Sequence, residues 1–254
     1  MKSRHLSTKS LLTVILALLL SSVPRPLAAH SEKGWVLERQ NIFGKTIVYM
    51  DSRGIRMTWP DIGYNVLVKA PDYSVVHFNT SSKTEMDESL AHFCKRRGME
   101  SGIACRHNWP TEKTTYAGIR ARKISVRTKN FQRNSIAVLP AVRNEKKAPV
   151  VAIEYFVSDS IRLPRSIYRF FSAFHTVPDL NGIPLALNDR LSDGKIKPVW
   201  YTISVKRETI PATIFAEPRN YKKVNHWGMV FGGGISGTID NIAEDLGVGD
   251  KFGK

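Results

Sequence analysis

The sequence predicts an α+β fold, a curved antiparallel β-sheet whose apolar face has to be covered by other parts of the chain. Three observations carry this. From Lys45 to Thr84, KTIVYMDSRGIRMTWPDIGYNVLVKAPDYSVVHFNTSSKT, Ile55, Met57 and Trp59 alternate with Arg56 and Thr58, and Tyr64, Val66 and Val68 alternate with Asn65 and Lys69. That is the period of two of a half-buried strand. Turn residues interrupt the run at Asp51–Gly54, Pro60–Gly63, Ala70–Asp72 and Asn79–Ser82, where Gly, Pro, Asn and Asp supply the backbone angles of tight turns. Turns roughly 8 to 12 residues apart leave no chain for crossover helices, so four short strands follow one another as hairpins. Third, Ile167, Phe170, Phe171 and Phe174 recur at i, i+3, i+4 and i+7, one bulky stripe of a helix that needs an apolar receptor.

In chain order, Lys2, Arg4 and Lys9 precede an apolar run from Leu11 to Leu20, and Pro24 to Ala29 leads up to His30. This is the layout of a secretory signal peptide over residues 1–29, cleaved after Ala29. Ten apolar residues are too few to span a bilayer. The expected location is therefore outside the cytoplasm, in a periplasm or cell envelope. Gly34 to Phe43 reads as a first strand with Trp35 and Leu37 on one face, paired with Thr46 to Met50.

Over Thr84 to Arg97 the period changes. Leu90, Phe93, Cys94 and Arg97 fall on one helical stripe, with Glu85, Asp87 and Glu88 in the first turns and Lys95, Arg96 and Arg97 before Gly98. Acid early, base late and Gly just past the end suit the helix dipole and a left-handed cap. Cys94 and Cys105 are the two cysteines. In an oxidising compartment such a pair points to a disulfide, closing a short loop for about 3 kcal/mol. The flanks His92 and His107 leave a second reading open, a soft metal site of His92, Cys94, Cys105 and His107, and two free thiols a third.

Tyr116 to Thr128, Ile136 to Val142 and Val150 to Val157 read as further strands, with Asn144 to Ala148 as an exposed turn. The Phe-bearing helix is expected over Arg162 to Thr176, with Pro164 in its first turn. Pro178 to Leu187 reads as a loop, Lys197 to Lys206 as a strand, and Phe215 to Val224 as the last piece of sheet or a closing arm. Residues 228–254, with Gly232, Gly233 and Gly234, read as a flexible tail holding a short helix over Thr238 to Leu246.

The segments VYMDSRGIRM and YNVLVKAPDYSVVHFN, and later TIPATIFAEPRNYKKV over Thr209 to Val224, resemble exported proteins of the LolA-like fold, the lipoprotein-carrier superfamily. The resemblance implies a strongly curved sheet, a half-barrel, wrapped around a few helices over residues 30–227. It also implies an apolar cavity for a lipid, an acyl chain or a lipidated protein, with the Phe stripe as a movable plug. Cavity candidates are then Ile55, Met57, Trp59, Tyr64, Val66 and Val68 on the sheet, with Ile167, Phe170, Phe171 and Phe174 on the helix. Such carriers latch the plug with an arginine of the early sheet, and Arg53 and Arg56 are the candidates here.

The formal net charge is +16. Lys2, Arg4, Lys9 and Arg25 lie in the leader with no acid, so +12 remains beyond it. From Lys95 to Lys147 fourteen Lys and Arg face Glu100, Glu112 and Glu145, a surface that favours an anionic membrane or acidic polymer. Without an aromatic-basic binding motif, and on an exported chain, nucleic acid is not expected. The sequence contains no Gly-x-Ser-x-Gly elbow, no Walker-type lysine loop, no His-Glu-x-x-His and no EF-hand loop. His30, His77, His92, His107, His175 and His226 read as surface or satisfied core residues, and Asp72 and Asp159 as turn residues. No enzyme activity and no cofactor is expected. Asn79-Thr80-Ser81 is formally a glycosylation sequon. The favoured expectation is a lipid or lipidated-protein carrier; the alternatives are a basic envelope scaffold for acidic polymer, or metal binding.

Overall fold

The protein is described by a computed structural model covering residues 32–97, 109–127, 148–175, 177 and 179–231. The strands are β1 (Glu32–Asn41), β2 (Gly44–Asp51), β3 (Gly54–Trp59), β4 (Tyr64–Lys69), β5 (Ser74–Asn79), β6 (Thr84–Glu88), β7 (Thr111–Tyr116), β8 (Ile119–Arg127), β9 (Val150–Ser158), β10 (Ile183–Leu191), β11 (Ile196–Ile210) and β12 (Lys222–Lys223). The helices are α1 (Leu90–Arg96), α2 (Arg165–Phe174) and α3 (Trp227–Phe231). All twelve strands join one open sheet in the order β12-β6-β5-β4-β3-β2-β1-β11-β10-β9-β8-β7. Every described neighbour pair is antiparallel except β12 with β6, so the sheet is mixed. The β1–β6 hairpins and the β7–β11 strands meet where the long β11 lies along β1, with Leu37 opposite Val205 on one side and Val48 on the other.

The alternation seen in the sequence sets which side chains are dry. Leu37, Val48, Met50, Ile55, Met57, Trp59, Tyr64, Val66 and Val68 share one core cluster with Phe93 of α1 and with Ile167, Phe170 and Phe171 of α2. Leu67, between Val66 and Val68, belongs to a second cluster with Phe78, Ile210 and Phe215. The chain after β11, with a 3-10 turn at Ala212–Phe215, thus covers part of the other face, and β4 is buried on both sides. A third cluster, with Ile153, Tyr155, Leu187 and Trp200, closes the β8–β11 end.

Several expectations are corrected. Thr84 to Glu88 is not the start of the helix but β6, pairing with β5 so that Met86 lies opposite His77. Tertiary pairing overrode the acidic-first-turn signal. Helix α1 begins one residue past Ser89, whose Oγ accepts from His92 N at 3.1 Å and so satisfies a donor the helix leaves open. The second half of the loop expected over Pro178 to Leu187 is strand, β10 from Ile183 on, in which Pro184 is tolerated because the pairing with β9 slips between Pro184 and Ala186. Strand β7 had no expectation. Beyond Gly228 the chain is not simply tail, because Val230 of α3 is buried in the main cluster. The strand expected at Ile136 to Val142, the turn after it up to residue 147, and residues 232–254 lie outside the described residues.

Asn79 of the sequon is buried. Its Oδ1 accepts from Ser81 N at 2.8 Å and Ser82 N at 3.1 Å, and its Nδ2 donates to Ile62 O at 3.2 Å. The amide is committed to holding the β5–β6 turn. Gly54, opening β3, is equally constrained, since a Cβ there would lie 2.2 Å from the backbone oxygen of Val68, and backbone cannot yield cheaply. Gly54→Ala is therefore expected to lower stability by about 2 kcal/mol or more, read as a shifted urea midpoint at unchanged slope; an unshifted midpoint would contradict this packing.

Candidate functional site

Nine of the ten cavity candidates are buried, and Phe174 is partly so; all ten meet in the main cluster. Their rings run in a seam. Trp59 lies 5.2 Å from Tyr64 and 5.8 Å from Phe174, and Phe170 lies 5.5 Å from Phe174 and 5.3 Å from Phe93. The seam continues outward through Phe231, 5.1 Å from Tyr64 and 5.3 Å from Phe43 at the β1–β2 turn. The dry face of the sheet beneath α2 is covered by α2 itself. Two shallow hollows lie elsewhere on the described residues: one of about 240 Å³ beside Glu32, Asp51, Arg162 and Arg207, and one of about 150 Å³ beside Glu85, Asp87, Glu217 and Lys223.

Among the described residues, the latch candidates make hydrogen bonds and ring contacts to elements other than α2. Arg53 donates to Asp51 and to Ile210 O at 2.8 Å and lies over Phe215. Arg56 donates to Ile214 O and Asn65 Oδ1, both at 3.1 Å, and lies over Phe78. Arg53 thus holds the end of β11, and Arg56 the chain after it, against the far face. Arg56 sits opposite Met57 by the strand alternation, which turns it away from the helices.

Two other arginines hold α2. Arg97, just past α1, donates from Nη2 to Phe174 O at 2.7 Å and from Nε to Ala173 O at 3.3 Å. It meets carbonyls that a helix end leaves open, with the favourable sign of charge, although burial pulls its pKa down. Arg39 is buried at 2% exposure on β1, on the same face as Leu37. Its Nη2 donates to Pro184 O at 2.5 Å and its Nη1 to His175 Nε2 at 3.1 Å. Phe171 and Trp200 lie 5.0 and 5.3 Å from the guanidinium carbon. Burial alone lowers its pKa to about 9, and its Nε–H has no partner among the described residues. Since arginine only donates, His175 Nε2 is the acceptor and the ring is neutral. Burial, then the Arg39 and Arg97 charges, hold the His175 pKa well below its ordinary value.

A second buried polar group links sheet to α1. Tyr64 Oη lies 2.7 Å from His77 Nδ1, and the other ring nitrogen, Nε2, faces Glu88 Oε1 at 3.4 Å, a long polar contact. Glu88 also meets Arg96, and His92 Nδ1 at 2.8 Å. Burial raises the Tyr64 pKa and lowers that of His77. For Glu88 burial pushes upward and is outweighed by His77 and Arg96, leaving the carboxyl at about 2.

Of the alternative metal set, His92 is exposed and engaged with Glu88, whereas Cys94 two residues on is buried. Cys105 and His107 lie outside the described residues, and with them half of the expected disulfide. Among the described residues Cys94 is a free thiol and no group of three His, Cys, Asp or Glu side chains could hold a metal ion. From the sequence alone Arg39 has no role and His175 reads only as a surface or satisfied core residue, yet each carries a signal. Arg39 stands two residues beyond Leu37, and His175 stands four beyond Phe171 on the Phe stripe.

No family model and no curated protein matches the sequence. Among solved structures, an uncharacterized conserved protein from Thermus thermophilus aligns at 12% identity with a TM-score of 0.41, over 84% of this chain and 99% of that one.

The buried groups set the acid response. His77 and His175 are neutral in the fold with lowered pKa values, so the unfolded chain takes up more protons below pH 6.5 and stability falls as pH drops from there. Glu88 stabilises fully above its ordinary pKa, 4.5, and that stability is lost as pH falls toward about 2. Urea midpoints measured from pH 7 to 2.5 should decline in two stages. His175→Gln should flatten the upper stage and Glu88→Gln the lower; a midpoint indifferent to pH between 7 and 4.5 would refute the neutral-histidine assignment.

Proposed function

We propose that the protein is an exported, non-enzymatic carrier of a lipid, an acyl chain or a lipidated protein, and that the described conformation is its closed form. On this reading the sheet curves as a half-barrel around its helices, as the LolA-like resemblance implies, and the Phe stripe of α2 occupies the seat that cargo takes when α2 moves aside. The leader at residues 1–29 delivers the chain to the envelope.

The observation that supports this most is the cover on the dry sheet face. Ile167, Phe170, Phe171 and Phe174 sit against Trp59 and its neighbours with no hydrogen bond of their own side chains to satisfy, so a hydrocarbon chain has the chemistry to replace them. At the start of α2 no side chain caps the N-terminus after Pro164, and Tyr168 Oη accepts from Leu163 N and donates to Ile161 O just before the helix; at its end Arg97 holds the last carbonyls. Loss of those bonds should raise the population of the open form.

A neutral naphthylamine dye that fluoresces in apolar surroundings tests the reading. The wild-type chain should bind it and Arg97→Gln should bind it about tenfold more tightly, the scale of a charge-assisted hydrogen bond. Absence of dye binding by either protein would end the carrier reading.

A second reading, a basic envelope scaffold for acidic polymer or anionic membrane, is favoured by the packed cluster under α2 and by the +12 formal charge that remains beyond the leader. Salt separates the two. Retention on a sulfated polysaccharide should collapse between roughly 0.05 and 0.2 M salt if the surface charge does the binding, while dye uptake under α2 should hardly change.

A further inference from the structure

We infer that Arg39 is a seat for the anionic head group of a single-chain amphiphile, bound through the guanidinium when α2 leaves the sheet. The inference deepens the carrier reading and rests on it. It starts from an imbalance. Arg39 is a cation in the core with no carboxylate against it among the described residues, and its only acceptors there are a backbone carbonyl, Pro184 O, and a neutral ring, His175. Its Nε–H is enclosed and has no acceptor among the described residues. A buried charge without a counter-ion, and a buried donor without an acceptor, are each costly, and one bound anion answers both.

The position fits an amphiphile. Arg39 follows Leu37 on the dry face, beside Thr46 of β2 and Thr202 of β11, its direct partners across the sheet and both buried. The apolar face therefore turns polar at this end, and Thr202 Oγ1 is already committed to Leu185 O at 2.6 Å. The groups that cover Arg39, Phe171 and His175, both belong to the α2 end of the cover. Displacing α2 frees Nη1 along with Nε, while Pro184 O and the Trp200 ring continue to fix the guanidinium plane. A tail would then lie along Leu37, Val48 and Met57, where the Phe stripe had been, with its carboxylate or phosphate at Arg39.

Competition against the neutral dye, with the full chain, tests this. Oleate and oleyl phosphate share the anionic head and oleyl alcohol lacks it. Wild type should prefer both anions over the alcohol by about tenfold or more, the worth of a charge-assisted hydrogen bond, and the ratio of oleyl phosphate to oleate tells a phosphate from a carboxylate seat. In Arg39→Met the preference should fall below about twofold with alcohol binding retained. Should that variant not fold, the buried arginine Nε–H resonance of wild type should shift with saturating oleate and not with the alcohol. Equal binding of anion and alcohol, a preference that survives Arg39→Met, or an unmoved Nε–H overturns the inference while leaving carriage standing. Failure of dye and amphiphiles alike to bind overturns both.

Discussion

Everything in this molecule answers to the need to keep water off the inward side of β1 to β5. The hairpins are spelled by turn residues, but hairpins alone are marginal without something packed on their apolar side. Here α2 supplies Ile167, Phe170 and Phe171, α1 supplies Phe93, and α3 supplies Val230. The same demand recurs on the far side of β4, where Leu67 and Phe78 are covered by Ile210 and Phe215. Arg53 and Arg56 make sense only in that light. Their stems lie along Phe215 and Phe78 while their heads hold carbonyls of the covering segment, which is how a long cation covers apolar surface without itself being buried.

The interior meets its polar groups in two different ways. Glu88 is nearly enclosed yet surrounded by Arg96, His92 and His77, and its low pKa reports that the ionised form is the one provided for. Arg39 has the opposite surroundings: aromatic faces, a carbonyl and a second base, with a pKa that falls because the charged form is poorly provided for. Packing alone gives no reason for an arginine at that position, since an apolar side chain would fill the volume between Phe171 and Trp200 without the desolvation cost.

Much of the fold was legible because β2 to β5 and α2 obey local periodicity. Leu37, the hairpin residues and the Phe stripe were all placed by spacing. What misled were signals that read the same in two states. Glu85, Asp87 and Glu88 suit a helix start, but Met86 between them alternates just as well for a strand, and only the partner strand decides. Pro184 spoke for a loop because a sequence does not show a pairing slip. The site was half legible. The burial of the apolar residues follows from pattern, whereas the inward place of Arg39 follows only from the parity of its strand, which nearness along the chain to the early hairpins does not show. Leu37 is inward, so Arg39 is inward; Met57 is inward, so Arg56 is not.

On the carrier reading the cover also sets a threshold for cargo. Exposing Ile167, Phe170, Phe171 and Phe174 together costs about 6 to 12 kcal/mol at 1.5 to 3 kcal/mol per large apolar side chain. A hydrocarbon chain regains about 0.8 kcal/mol per methylene buried, so roughly 8 to 15 methylenes are needed before opening is favourable. Chains of a few carbons cannot displace α2 however well their head groups suit Arg39, and long ones can do so before the head group contributes. The filled core is thus compatible with carriage, because a cover that matches its cargo in apolar surface excludes water when empty and still yields to a chain of lipid length.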